Sequence, residues 1–432
     1  MGKHSADEAR SDDASVPVKT RQVRGPRPGY ERSTDEPTRE RVREMLSPRV
    51  VGIFVACFLL QAAFIASYVG AFHDPKPQGI SVAVAGPTTQ FATQTAQRLN
   101  ALPDGPLEAT TATSAQDARE QVRTGEVQTA YIVNPQTTQD TLLVATAHGA
   151  SLASAAQTVL ERVDASQQRT LRVEDVVPAL PKDGRGLTAF YLVVGWLVGG
   201  YLMASLLGIR AGNRSRNFRR ALWRLAGAVV YAAASGIAGA AIVDLWFESL
   251  TGHFWQIAGL GTLVVLAAGF FTYGAAALFG VVGIGLAILI FVVIGNPSAG
   301  GAYSYELLPE PWASIGSWLP NGAGVDAVRS IVYFGGEGVG RDLVVLLAWM
   351  VLGLVIFFGV AARVYWGMKR DVWGPGDEPA GRHRSGAGAA EESDDADADD
   401  RREIGDGDDE VVDEESGTGS GADSDAQVRE RG

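Results

Sequence analysis

The sequence predicts an α-helical integral membrane protein with six transmembrane helices and an extracytoplasmic α/β domain between the first and second. Three observations carry this. Six apolar segments approach or exceed the ~20 residues that a helix needs to cross a ~30 Å hydrocarbon core: Val50–Phe72, Leu187–Ile209, Ala221–Phe247, Trp255–Tyr273, Ala275–Ile294 and Leu343–Tyr365. Residues 73–186 contain no such run but alternate strand-like and helix-like patterns. Basic residues cluster beside three of the spans, at Arg39–Arg49, Arg210–Arg220 and Arg363–Arg370. By the positive-inside rule all three clusters face the cytoplasm. This topology places both termini in the cytoplasm of a multi-pass plasma-membrane protein.

Bulk composition hides this division. The chain has 432 residues, of which 46% are apolar, and a net charge of −12. From Asp371 onward there are 21 acidic and 6 basic residues, a net of −15, so the remainder carries +3. The acidity belongs to a tail, 371–432, too poor in apolar residues to order itself. The single cysteine, Cys57, excludes an intramolecular disulfide. The five histidines lack ligand spacing, so no metal or other cofactor is expected.

Residues 1–47 read as a mostly disordered cytoplasmic tail. Its end, Arg39–Ser47, is either a short helix led by Pro37 or a basic flank that orients the first span. The first transmembrane helix occupies 48–72; its long polar leader and long apolar run favour a retained anchor over a cleaved signal.

In 73–186, strands are expected at Ile80–Val84, Gln128–Val133 and Thr141–Ala147, and helices at Phe91–Leu102, Ser114–Arg123 and Ser151–Val163. Asp117, Glu120 and Glu126 read as solvated surface charges.

The remaining five spans form a membrane domain over 187–367 (187–209, 221–247, 255–273, 275–294 and 343–365). Gly195 and Gly199 make a G-x-x-x-G face on the second span, and Gly236 continues a small-residue pattern on the third; such residues let helices approach closely in lipid. The loop carrying Arg210, Arg214, Arg216, Arg219 and Arg220 is too short and too close to the membrane for nucleic acid. Asp244 lies within the third span but close enough to its end to reach interfacial water.

Residues 295–342 are too polar to span a bilayer and too rich in Pro, Gly and Trp for a plain linker. Trp312, Ile315, Trp318 and Leu319 recur at helical spacing, as do Val325, Val328 and Val332, with Pro320, Asn321 and Gly322 punctuating between them. The expectation is an outer two-helix hairpin packed on the mouth of the membrane domain. Asp326 and Arg329, three apart, are placed to pair.

The order of span, α/β domain, five spans and outer hairpin resembles the type-2 ABC exporter permeases, and within them the YhgE/Pip (phage infection protein) branch. The residues that carry the resemblance are Gly295–Gly301 with Asn296 and Pro297, Glu306–Pro309, Trp318–Pro320 and Gly324–Arg329. Asp175–Pro178, Gly186-Leu187, Gly199–Tyr201, Asp117–Arg119 and Ala130–Pro135 support it more loosely. The resemblance spans roughly 48–370 and implies a homodimer in the lipid bilayer, often driven by a separate ABC ATPase. The chain carries no G-x-x-x-x-G-K-[ST] loop of its own. An ATPase would dock on the helix near Arg39–Ser47 and the Arg210–Arg220 loop. The expected function is therefore the permease subunit of an exporter. The alternative is a non-transporting scaffold or receptor that acts through its extracytoplasmic domain. An enzyme is not expected, because the spans hold no His or Glu cluster for acid–base or metal chemistry.

Overall fold

The computed structural model describes residues 47–211 and 218–372. The predicted helix at Arg39–Ser47 (apart from Ser47), loop residues Arg214 and Arg216, and nearly all of the acidic tail lie outside the described residues.

Helix α1, Pro48–Phe72, begins with Pro48 in its first turn, where a missing N–H costs nothing. A mixed five-stranded sheet follows. Its strands are β1 (Ile80–Ala85), β2 (Leu107–Thr111), β3 (Thr129–Ile132), β4 (Gln139–Val144) and β5 (Thr170–Asp175), in the spatial order β2-β1-β3-β4-β5. All pairings are parallel except the β3/β4 hairpin. Helices α2 (Thr89–Asn100) and α4 (Ala150–Ser166) cover one face over Ile80, Val82, Val84 and Leu142. Helix α3 (Ala115–Thr124) covers the other, with Ala118 and Val122 buried on Ala83, Ala130 and Leu143.

Two strands are absent from the sequence-based expectation. In β2, Leu107 and Ala109 face inward and Glu108 and Thr110 outward, an alternation too short to stand out. Strand β5 is a largely exposed edge carrying Arg172, Glu174 and Asp175, the composition by which natural edges discourage further pairing. Asp117 is also more than a solvated charge. It accepts from Thr113 N and Oγ1, both at 2.7 Å, while Ser114 Oγ caps the Asp117 amide. The Thr113 hydrogen bonds hold its carboxyl below the usual carboxylate range.

The helical domain is organised around one element. Helix α7, Phe254–Phe279, is 26 residues long, and 17 of them are buried. Helices α5 (Thr188–Ala211), α6 (Phe218–Ala240, continued by a π-helical stretch to Trp246) and α11 (Val339–Val372) pack around it. Small residues set each crossing. A Cβ on Gly236 would meet Ala258 O at 2.2 Å, one on Gly200 would meet Val265 O at 2.7 Å, and one on Gly353 would meet the Phe270–Phe271 peptide at 2.3 Å. In hydrocarbon, such contact replaces the hydrophobic effect as the source of association.

Five helices among the described residues are long and apolar enough to cross a membrane: Val50–Phe72, Thr188–Gly208, Leu222–Trp246, Phe254–Phe279 and Val339–Arg363. The predicted pair at 255–273 and 275–294 does not form two full spans. The Ala275–Ala277 run is strongly helix-forming, so α7 continues to Phe279 and turns only at Gly280, where φ is +65°. That leaves α8, Val281–Ile288, and a six-residue π-helical continuation to Ile294, about 21 Å in all at 1.5 Å per residue.

Candidate functional site

After Ile294 the chain rises to the α/β domain, returns through the one-turn helix α9 (Trp312–Gly316), and rises again as α10 (Pro320–Tyr333). Pro320, Asn321 and Gly322 do not separate two helices. They form the first turn of α10, with Pro320 at the position where its fixed φ suits a helix start. Nor is α10 amphipathic on a mouth. Ten of its 14 residues are buried, including Asn321, Gly324, Val325, Val328 and Arg329, and it packs against α5, α7 and α11.

Its start is set among the apolar helices. Asn321 Nδ2 donates to Phe291 O and to Asn296 Oδ1, both at 2.8 Å. Phe291 lies in the π-helical end of α8, where the shifted pairing leaves carbonyls for outside donors. Asn321 therefore satisfies a backbone group that hydrocarbon cannot.

At the other end, Phe334 follows α10 into the α/β domain and is buried among Ala118, Val122 and Leu143. Its ring stacks on His148 at 4.3 Å and lies 3.1 Å from where a Cβ on Gly125 would be. Tyr333 donates to Asp183 Oδ2 at 2.6 Å, and Asp183 Oδ1 accepts from the Thr188 amide at the start of α5. Glu306 joins the same junction. Its carbonyl accepts from Gln78 N at 2.7 Å, and its carboxylate accepts from Gln128 Nε2.

Between these ends lies a polar cavity of about 690 Å³, lined by His148, Asp326, Arg329, Glu337, Arg341 and Asp342, among others. Asp326 and Arg329 do not form the expected ion pair. Asp326 accepts from the Tyr305 hydroxyl at 2.8 Å. Arg329 donates instead to Gly300 O at 2.8 Å and to Gly186 O and Gly301 O at 3.4 Å. Their spacing within one helical turn does bring the charges close enough to influence each other, but Arg329 is drawn to three buried carbonyls that would otherwise be unpaired.

Burial pushes the Asp326 carboxyl up to about 6, opposed by the Arg329 charge and the Tyr305 hydrogen bond. Burial and the Arg329 charge push the His148 imidazole down to about 4. Burial and the neighbouring Asp326 hold the Tyr305 hydroxyl protonated, well above its ordinary range. Arg329 Nε and His148 Nε2 are buried without hydrogen-bond partners. The chemistry available is proton exchange and polar binding. Among the described residues, no group of three His, Cys, Asp or Glu side chains is placed to hold a metal ion.

The other residues singled out in the hairpin sort into a wall and an edge. Pro297 is buried beside Asn296, and Pro309 is half-buried above α9. Trp312 Nε1 donates to Ser67 Oγ of α1 at 3.0 Å, and its ring fills the space over Gly70. Trp318 is 65% exposed, with Arg341 over its ring at 5.5 Å and its carbonyl accepting from Trp349 Nε1. The proposed glycine face is shifted. Gly195 has nothing within 4 Å of its Cβ position and Gly199 meets Tyr231 Oη, whereas Gly200 and Gly236 make the close approaches to α7. Arg219 is exposed at the start of α6; the side chains of Arg210 and Arg220 lie outside the described residues. Asp244 is partly exposed and accepts from the Gly252 amide at 3.3 Å, closing the turn between α6 and α7.

Tyr305, Asn321, His148 and Phe334 complete the site but did not stand out in the sequence. Asn321 resembled a turn residue between Pro320 and Gly322, and an isolated His or Phe carries no spacing signal. No protein-family model, curated protein or solved structure matches this chain.

Proposed function

We propose that this protein is the permease-like membrane subunit of an exporter whose energy comes from a separate ATPase, with the hairpin and α/β domain moving as one body. The observation that supports it is the double attachment of α10. Arg329 ties it to the start of α5 and to the segment after α8, and Phe334 is packed into the α/β core. A shift of α10 against α7 would therefore displace the α/β domain, the kind of discrete rearrangement by which packed elements switch. In this reading α8 is the inserted fifth segment of a six-segment topology, the α/β domain is extracytoplasmic and both ends are cytoplasmic. A homodimer in the plasma membrane completes the assembly, and the Arg210–Arg220 loop receives the ATPase. The substrate is unspecified.

The test is affinity purification of the full chain from native membranes, with identification of co-purifying ATPases, followed by disruption of the ATPase. Loss of export matching that of a deletion of this chain supports the proposal; unchanged export in every ATPase disruption overturns it. The second reading, a scaffold or receptor that acts through the α/β domain, is supported by the close wrapping of α7 by its neighbours. It predicts that exchanging residues 73–186 between homologues transfers function, while substitutions on the helix faces around α7 do not.

A further inference from the structure

A second cavity, of about 650 Å³, lies within the α/β domain and has no part in the hairpin. Its size falls in the range of roughly 300–1,000 Å³ typical of small-molecule sites. It opens because α2 and α4 cover the same sheet face without packing closely on each other. The walls are mostly carbon, from Phe91 and Leu99 of α2, Leu102 just beyond it, and Val159 and Val163 of α4, with Thr95 the polar side chain among them and Ser166 and Gln167 at the end of α4. Tyr131 and Asp140 touch it from the sheet but are 2% and 0% exposed, and Arg169 pairs with the Asp140 carboxylate. The interior therefore offers little to a polar ligand.

The rim is different. Lys76, Arg98, Arg162 and Asp104 surround it. Lys76 pairs with Asp74 at 2.9 Å, but Arg98 and Arg162 have no carboxylate partner among the described residues. Two free guanidinium groups over an apolar slot match an amphiphile with an anionic head, since Arg presents a planar fork suited to carboxylate and phosphate. The location narrows the source. Lys76 follows the end of α1 at Phe72 by four residues, at most ~14 Å of extended chain. If α1 crosses the membrane, the rim stands at the bilayer surface.

We infer that the cavity between α2 and α4 binds the acyl chain of an anionic membrane lipid, with the headgroup held by Arg98 and Arg162. This rests on α1 being a membrane span and is independent of the export proposal.

The test uses the full chain in phosphatidylcholine vesicles containing a trace of phosphatidic acid with a photoreactive acyl chain. Labelled peptides are mapped by mass spectrometry. The expected label falls within residues 91–103 and 159–167. Val163→Trp, which fills the slot, and the pair Arg98→Glu/Arg162→Glu should each reduce that label about tenfold, equivalent to about 1.4 kcal/mol, without changing the label on α7. Leu102→Trp fills the slot from the other side, and an unchanged unfolding midpoint identifies which filled variant remains folded. Undiminished label in a folded, filled variant overturns the site. Equal labelling by a photoreactive phosphatidylcholine, insensitive to the Arg pair, overturns the anionic headgroup. Label seen only when photoreactive palmitate is added to protein in amphipol, without a bilayer, overturns the membrane source.

Discussion

Two arginines in this molecule, the half-buried Arg169 and the buried Arg329, solve the same problem in different ways. Arg169 sits in the α/β domain and pairs with Asp140, which is fully buried and also accepts from Tyr131 and the Asn134 amide. Arg329 sits in the hairpin and meets carbonyl oxygens, while Asp326, one helical turn before it, is held by Tyr305. The partners of Arg169 all come from one domain and stabilise that domain. Those of Arg329, Gly186 and Gly300–Gly301, come from segments more than 110 residues apart in sequence and fix one domain against the other. A charge matched by a charge can be local. A charge matched by backbone carbonyls records where distant strands of chain must meet.

The comparison can be tested most severely at Arg169. Arg169→Ala leaves the buried Asp140 carboxylate without its counter-charge, and should destabilise the α/β domain by about 3–5 kcal/mol. Proteolysis should then cut within residues 73–186 while the helical domain stays intact. A loss below about 1 kcal/mol by thermal unfolding in detergent, the value of an exposed pair, would remove the contrast.

Arg329→Ala should cost about 3 kcal/mol, because charge-assisted hydrogen bonds are lost and buried acceptors are stranded. Its signature differs from that of Arg169→Ala. Protection from hydrogen exchange should fall together at Gly186, at Gly300–Gly301 and around Phe334. A change confined to α10 would show that Arg329 is only locally structural.

Asn321→Ala, which strands Phe291 O and Asn296 Oδ1, should cost about 1–3 kcal/mol and raise exchange at the end of α8. An unaltered midpoint would mean that other donors replace it.

The smallest effect concerns pH, and it is read as the difference between two groups of the hairpin cavity, Asp326 and His148. Asp326 moves from 3.8 to about 6, so its contribution to stability is complete below about pH 4 and is lost as pH rises through about 6. His148 moves from 6.5 to about 4, so its contribution is complete above pH 6.5 and is lost as pH falls towards 4. Across about pH 4–6 these two slopes oppose, so each partly offsets the other in the intact protein. His148→Phe, which keeps a ring against Phe334, should leave stability falling as pH rises. Asp326→Asn should shift the profile the other way, towards stability that rises with pH relative to the intact protein. Parallel profiles from the two variants would show that neither group is titrating in the cavity.

Much of the architecture was legible in the sequence because long apolar runs and short alternating patterns answer to the simplest physics. Ile80–Val84 and Ser151–Val163 were readable because one face of each is continuously apolar. Two features were not. The end of α7 depends on Gly280 rather than on hydropathy, since Ala275–Phe279 is as apolar as what precedes it. The depth of α10 depends on Gly324 meeting α5 and α7, Asn321 meeting the end of α8, and Arg329 meeting the segments before α5 and after α8, which no local spacing encodes. The candidate site was partly visible, through Asp326, Arg329 and Glu306. Its other half, His148, Tyr305 and Phe334, comes together only when the α/β domain meets the hairpin.

The contact between α1 and the hairpin also has a consequence for biogenesis. Ser67 waits for Trp312, 245 residues later in the chain. At about 5–20 residues per second, that delay is roughly 12–50 s of synthesis. During that interval α1 must reside in the membrane without its partner. Its surface is suited to waiting: Ile53, Phe54, Phe58, Leu59, Ile65 and Val69 all face outward, so lipid can solvate the helix until the rest of the protein is made.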